Sequence, residues 1–247
     1  MIDECHVLVG GTMTMSRKWI VAGDTDEPQH IPLPSYLLVT PKRRVLVDTG
    51  CSEAAACDAQ AAWGKLASLY QPDISKEEYL RAQLERVGYG VDDITDVVLT
   101  HLHMDHAGGA RVFPTAQLWI QSAEMRWALA PARFARGGYI RSELPDPSSN
   151  SIRLLEGDTQ LIEGVFAILT PGHTPGHQSV LFRLKDGGRW VCLVGDAAYD
   201  RSIFESSRLP GVVWNAERYY ESLSRLRVLE QAFGAHLVFG HDWDQSI

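Results

Sequence analysis

His101-Leu-His103-Met-Asp105-His106 places four potential metal-binding side chains within six residues. Imidazole and carboxylate are the donors that zinc and similar borderline divalent ions take. Crowding such groups together is costly unless something binds them. The segment follows Val97-Val-Leu-Thr100, which reads as a buried strand. The chain can therefore turn so that His101 and His103 face one ion while Asp105 and His106 face a second. Neither ion would be fully held by these four residues. His173, Asp196 and His241 could supply the rest: one more histidine for each ion and a carboxylate able to bridge both. Such a set leaves room for water or hydroxide, as an open catalytic site requires.

The elements that must position these residues are legible as strand ends. Apolar runs at 36–40 and 45–47 are separated by the turn 41–44, and Asp48-Thr-Gly50 follows at once. A helix is expected from Ser75, which has capping-box spacing to Glu78; Tyr79, Leu80, Leu84 and Val87 share one side, and Gly88 ends it. A second helix, capped by Ser122, opens the stretch from about 122 to 150. Pro131, Gly137-Gly138, Pro145 and Pro147 then break the chain into a binding loop or lid. Strands are expected at 165–169, 179–182 and 190–194, with Asp186-Gly187 as the hairpin turn between the last two. A helix over about 216–232 is capped by Asn215 and buries Leu223, Leu226 and Leu229, and a strand at 236–239 leads to Gly240-His241. Strand ends thus deliver Asp48, His101, His173, Asp196 and His241. Helices alternate with strands, yet hairpins occur too, so a mixed-sheet α/β sandwich is expected.

The 247 residues fit one domain spanning 1–247, and 45% hydrophobic with 22% charged residues is ordinary globular composition. A net charge of −8 repels nucleic acid and anionic membrane surfaces. No apolar run reaches the roughly 18 residues of a membrane span, and the N-terminus lacks the basic and apolar regions of a signal peptide. Cys5, Cys51, Cys57 and Cys192 form no Cys-x-x-Cys pair, so no disulfide framework is expected. A cytoplasmic protein is the default expectation. Oligomeric state is not legible, with a homodimer as the commonest assembly. His6, His30 and His236 read as structural or surface residues. His177 does too, because Thr170-Pro-Gly-His-Thr-Pro-Gly-His177 is rich in turns rather than helical.

The run Thr100-His-Leu-His-Met-Asp-His106-Ala-Gly-Gly109 resembles the signature of the metallo-β-lactamase superfamily, and Asp48-Thr-Gly50, Thr170-Pro-Gly-His173, Gly195-Asp196 and Gly240-His241 follow in its order. The resemblance implies an αββα sandwich of two mixed β-sheets flanked by helices, with the metals at one edge. More finely, Thr170–Ser179, Asp196-Ala-Ala-Tyr199 and Phe239-Gly-His-Asp242 are similar to N-acyl-homoserine lactonases, and Phe134–Arg141 to the branch that also holds γ-butyrolactonases. It implies that His101, His103 and His173 hold one ion, that Asp105, His106 and His241 hold the other, and that Asp196 bridges them. Tyr199 matches the family's active-site tyrosine, and Asp48 a residue that supports the ligands from behind. Met104 stands where several lactonases carry Phe, which leaves chain-length preference open.

The expected reaction is ring opening of a small-molecule lactone by a hydroxide that bridges two divalent ions, zinc first, with cobalt, manganese or iron as alternatives. Tyr199 would donate to the carbonyl oxygen, and Asp105 would return a proton to the leaving alkoxide. Met13, Met15, Trp19, Ile20, Met104, Met125, Trp127, Phe134, Tyr139 and Ile140 are candidates for an acyl groove. The alternatives are a γ-butyrolactone-type lactonase and a glyoxalase II-like thioesterase. The latter is disfavoured because only six residues follow His241, too few for that enzyme's C-terminal substrate-binding region.

Overall fold

The computed structural model describes residues 1–146, 149 and 151–247; Pro147, read above as a chain breaker, lies outside the described residues. One sheet holds β1 (Glu4–Ser16), β2 (Pro28–Val39), β3 (Arg44–Val47), β4 (Gln71–Asp73), β5 (Asp96–Val98), β6 (Gln117–Gln121) and β7 (Ile152–Leu155). Their order is β4-β1-β2-β3-β5-β6-β7. The other holds β8 (Thr159–Ile162), β9 (Val165–Leu169), β10 (Gln178–Arg183), β11 (Trp190–Gly195) and β12 (His236–Phe239), in the order β12-β11-β10-β9-β8. Both sheets are mixed. β3, β5, β6 and β7 run parallel beside the antiparallel β1–β2–β3 ribbon. β11 and β12 pair in parallel beside the antiparallel β8–β11 meander.

Strands buried on both faces explain why the sequence shows continuous apolar runs rather than alternation. Tyr36, Leu38, Val45, Val47 and Val98 meet Val180, Phe182, Val191, Leu193 and Val238 between the sheets. Their sequence neighbours Leu37, Leu46 and Val97 turn the other way, into a second core with Leu84, Phe113 and Met125. On the far side Cys192, Val194, Leu237 and Phe239 pack against Tyr219, Leu223 and Leu226 of the helix Ala216–Phe233. The layers are therefore helix, sheet, sheet, helix, the arrangement of the metallo-β-lactamase fold. Asn215 caps the last helix as expected, accepting from the Arg218 N–H at 2.9 Å.

Three local expectations change. The N-terminal stretch forms β1, a 13-residue strand that the sequence did not reveal. An extra residue at Gly10–Gly11 shifts its register between Val9 and Thr12. Burial then moves from even-numbered Leu8 to odd-numbered Met13 and Met15, which hides the period-two pattern. The helix expected from Ser75 is split. The capping box is present, but it closes only a short turn at Lys76–Glu78; Tyr79 is extended, and the α-helix runs Leu80–Arg86. Finally, Ser122 is the first residue of the helix Ser122–Leu129 rather than its cap, and Gln121 in the cap position provides no side-chain bond to it. No helix among the described residues is long and apolar enough to cross a membrane.

Candidate metal centre

The site lies where strand ends from both sheets converge. Asp48 follows β3, Thr100–His106 follow β5, His173 follows β9, Asp196 follows β11 and His241 follows β12. β3 and β5 are parallel neighbours, as are β11 and β12, so these ends open on one side. All seven donors come from one chain.

Three groups of donor atoms form, with each group's atoms within 4.8 Å of one another: His101, His103 and His173; His101, His106 and Asp196; Asp105, His106 and His241. His173 Nε2 stands 3.2 Å from His101 Nε2 and 3.0 Å from His103 Nδ1. Asp196 lies between the outer groups. Its Oδ2 is 3.3 Å from His173 Nε2, and its Oδ1 is 3.3 Å from His106 Nε2 and 3.2 Å from His241 Nε2. Asp105 Oδ2 completes the cluster, 3.6 Å from His106 Nε2 and 3.8 Å from His241 Nε2.

The ring nitrogens pointing away from this centre are occupied. His106 Nδ1 meets Asp48 Oδ2 at 2.8 Å, His173 Nδ1 meets the Val212 carbonyl at 3.0 Å and His241 Nδ1 meets the Pro32 carbonyl at 2.9 Å. His101 Nδ1 bonds the Thr100 hydroxyl, which itself donates to Asp48. Each outward nitrogen facing an acceptor must carry a hydrogen, which leaves the Nε2 lone pair aimed inward. His103 is held differently, with Nδ1 inward and its ring lying over Gly138. A Cβ at Gly138 would fall 2.2 Å from the ring, so only glycine fits.

Burial and the neighbouring histidines hold His101 well below its ordinary value, and burial does the same to His103. Both rings are therefore neutral, as ligation requires. At His106 burial pulls down, but Asp196, Asp105 and Asp48 together lift it well above the ordinary range. Burial likewise pushes the Asp196 carboxyl up, yet His106, His241 and His173 hold it well below normal. The carboxylates thus favour positive charge among these rings.

A divalent cation fits this geometry on observations independent of any resemblance. His106 Nε2 and Asp196 Oδ1 are buried and face each other at 3.3 Å without hydrogen-bond geometry, and buried polar atoms left unsatisfied are costly. Five imidazoles with two carboxylates are a donor set suited to zinc and its neighbours.

Tyr199 lies over the centre, its ring 5.8 Å from that of His173 and 5.3 Å from that of His241. Burial, with Asp196 and Asp105 nearby, pushes its phenol well above the ordinary value, so it stays protonated and can donate a hydrogen bond at neutral pH. A small cavity of about 30 Å³ touches Tyr199, Met13, Met15, Met104, Asp105 and Asp196. It adjoins a cavity of about 410 Å³ walled by Trp19, Trp127, Phe134, Tyr139 and Trp214, which also reaches His103 and His173. The structure thus places all six side chains expected to bind substrate, Met13, Met15, Trp19, Met104, Phe134 and Tyr139, on one or other cavity. Three further groove candidates line neither of these two cavities. Met125 is buried beneath β5 and β6 with Leu99 and Ile120. Ile140 packs inside a core, and Ile20 lines a further cleft of about 490 Å³, beside Arg17 and Asp24, that also reaches Tyr199 and His241. A cavity of about 420 Å³ behind loops 49–53 and 108–112 contains none of the seven donors.

His177, expected to be structural, holds the Asp196 main chain from behind. Its Nε2 accepts from the Asp196 N–H at 2.9 Å and its Nδ1 faces Thr170. Burial, with His173 adding to it, pushes the ring down to about 3, so it stays neutral. His6, His30 and His236 bond Glu4, Thr14 and Ser246 and belong to none of the donor groups. Sequence reasoning missed Tyr70, Val212 and Trp214 on the cavity walls, and Glu124 beneath the site. The Gly137-Gly138 pair was the one local signal of close approach.

The chain is similar to known proteins over most of its length. The metallo-beta-lactamase superfamily matches residues 31–241. The chain is 34% identical over 220 residues to N-acyl homoserine lactonase AttM of Azorhizobium caulinodans, covering 87% of this chain and 83% of that protein. It is 34% identical over 218 residues to an N-acyl homoserine lactonase of Bacillus cereus, covering 88% and 84%. Its structure is similar to that of an N-acyl homoserine lactone hydrolase with the product N-hexanoyl-L-homoserine bound at the catalytic metal centre. The TM-score there is 0.86 at 28% identity, covering 99% of this chain and 95% of that one.

Proposed function

Because the chain belongs to the metallo-β-lactamase superfamily, we propose that it is a dinuclear-metal hydrolase that opens the ring of N-acyl homoserine lactones, a quorum-quenching reaction. The observation that carries this reading is an adjacency. Donor groups meeting at Asp196 open onto the Tyr199 phenol and then onto an apolar cavity large enough for an acyl chain. The likeness to named lactonases over most of the chain supports it.

His101, His103 and His173 would hold one ion and Asp105, His106 and His241 the other, with Asp196 shared; zinc suits the donors, and cobalt, manganese or iron are alternatives. Two such ions would polarise a carbonyl and lower the pKa of water from 15.7 to about 7, making hydroxide available between them. Tyr199, held protonated, donates a hydrogen bond to the lactone carbonyl oxygen that strengthens as negative charge develops there. The new C–O bond comes from water and the ring C–O bond breaks. Asp105, half-buried at the cavity edge, takes up the proton that the attacking water gives up and passes it to the departing alkoxide. The product is the open-chain hydroxy acid. Trp19, Trp127 and Trp214 surround the acyl chain and exclude water from it.

The test is ring opening of a lactone panel followed by proton release, with metal content measured on the same sample. The expected result is turnover of acyl homoserine lactones well above γ-butyrolactone, which has no chain to fill the cavity, with about two metals per chain. Preference for γ-butyrolactone would replace the acyl-lactone reading. A fully metallated protein that cleaves thioesters but no lactone would place it with glyoxalase II-like enzymes instead.

A further inference from the structure

Glu124 sits in the first turn of the helix Ser122–Leu129 and is 1% exposed. No lysine, arginine or histidine pairs with it among the described residues. Burial raises its carboxyl above the ordinary value, and hydrogen-bond donors from three separate segments oppose that. Oε1 accepts from the Leu102 N–H at 3.0 Å and from the Tyr139 hydroxyl at 3.0 Å. Oε2 accepts from the Gly176 N–H at 3.2 Å.

Each segment serves the same part of the metal centre. Leu102 is the residue between His101 and His103. The Tyr139 ring packs edge-on against His103, with centroids 4.7 Å apart, and Tyr139 follows the glycine that His103 lies over. Gly176 is on the loop that carries His173. That loop approaches so closely that a Cβ at Gly176 would fall 2.2 Å from the Glu124 nitrogen. The groups that orient His106 and His241 are different: the Asp48 carboxylate and the Pro32 carbonyl. Neither is bonded to Glu124.

We infer that Glu124 is the positioning residue of one metal half-site, a single buried carboxylate tying together the loops that present His101, His103 and His173. The inference rests on the dinuclear reading above. Glu124 touches no donor atom and no reacting group, so it acts only through the loops. Loss of one of three bonds to a shared carboxylate should loosen all three histidines together, because each loop is anchored on the same two oxygens. A carboxylate is needed because three donors face it. An amide at this position keeps one acceptor oxygen and turns its N–H₂ toward at least one of those donors.

The experiment compares the zinc-loaded wild type with Glu124→Gln and Tyr139→Phe by stepwise chelator titration, with kcat, KM and thermal melting measured on the same samples. His103→Ala identifies which ion belongs to this half-site. In Glu124→Gln the affinity of that ion should fall about 10- to 100-fold, the usual range for losing an outer partner, while the other ion is retained as in the wild type. kcat should fall more than KM rises. Tyr139→Phe should weaken the same ion by a smaller factor. Two ions held as tightly as in the wild type would overturn the inference. So would equal weakening of both ions in step with a lower melting temperature, the mark of a merely structural role. A wild type that binds a single zinc would remove the dinuclear reading itself, and this inference with it.

Discussion

Asp48 Oδ2 stands 2.8 Å from His106 Nδ1, on a residue whose backbone is held at φ 57°. The same carboxylate accepts from the Thr100 N–H and hydroxyl, each at 2.8 Å. One side chain therefore orients a metal-binding ring and anchors the start of the loop that carries four donors. The left-handed conformation is uncommon outside glycine, asparagine and aspartate. It persists here because three hydrogen bonds fix the side chain.

Asp48→Asn tests this role without changing size or backbone preference. An amide can meet only some of the three donors, so metal affinity and kcat/KM should each fall about 10- to 100-fold. Chelator competition and steady-state kinetics check it. Unchanged values for both would show that His106 is oriented without Asp48.

Tyr199→Phe removes one hydroxyl above the centre and leaves the ring packing against His173 and His241. If that hydroxyl stabilises the developing oxyanion, kcat drops roughly 10- to 1,000-fold at unchanged metal content. A fully metallated variant with wild-type kcat would take Tyr199 out of the mechanism.

Trp127→Ala opens the wall of the larger cavity, where Trp127 contacts Phe134 and Trp214 with ring centroids 6.2 Å apart in both pairs. KM for acyl homoserine lactones should rise on the order of tenfold, equivalent to about 1.4 kcal/mol. KM for γ-butyrolactone, which lacks the chain, is the internal control and should stay nearly constant. A parallel rise for both substrates would mean that the chain binds elsewhere.

Glu143 gives a pH prediction away from the metals. Burial raises its carboxyl above the ordinary value, against hydrogen bonds from Ser52 and Trp63, and Oε2 is buried without a partner. The folded state therefore holds a proton that the unfolded chain releases near pH 4.3. The stability this contributes is present below the unfolded value and is lost as pH rises through the folded one. Glu143→Gln keeps the accepting oxygen and never ionises. Its stability relative to wild type should be near zero at pH 4 and grow toward pH 8, as read by urea unfolding. A difference that does not change with pH would mean that Glu143 is not carrying a buried charge.

The sequence by itself determined the donors and the scaffold that presents them. His101–His106 was legible because four ligand-type side chains at a strand end have few other physical uses. His173, Asp196 and His241 were legible because each ends or follows an apolar run, and continuous apolar runs mark strands buried on both faces. Local pattern could not determine what depends on chains meeting in space. β1 was hidden because one bulged residue reversed its alternation, and only pairing with β2 shows the new register. Met125 looked like a groove residue and is core, because its helix turns that face inward. Glu124 carried no signal at all: one acidic residue in a short helix is ordinary in sequence. It matters because the fold brings the Leu102, Tyr139 and Gly176 donors to it from three loops, and a buried carboxylate must be met by whatever donors the tertiary structure supplies.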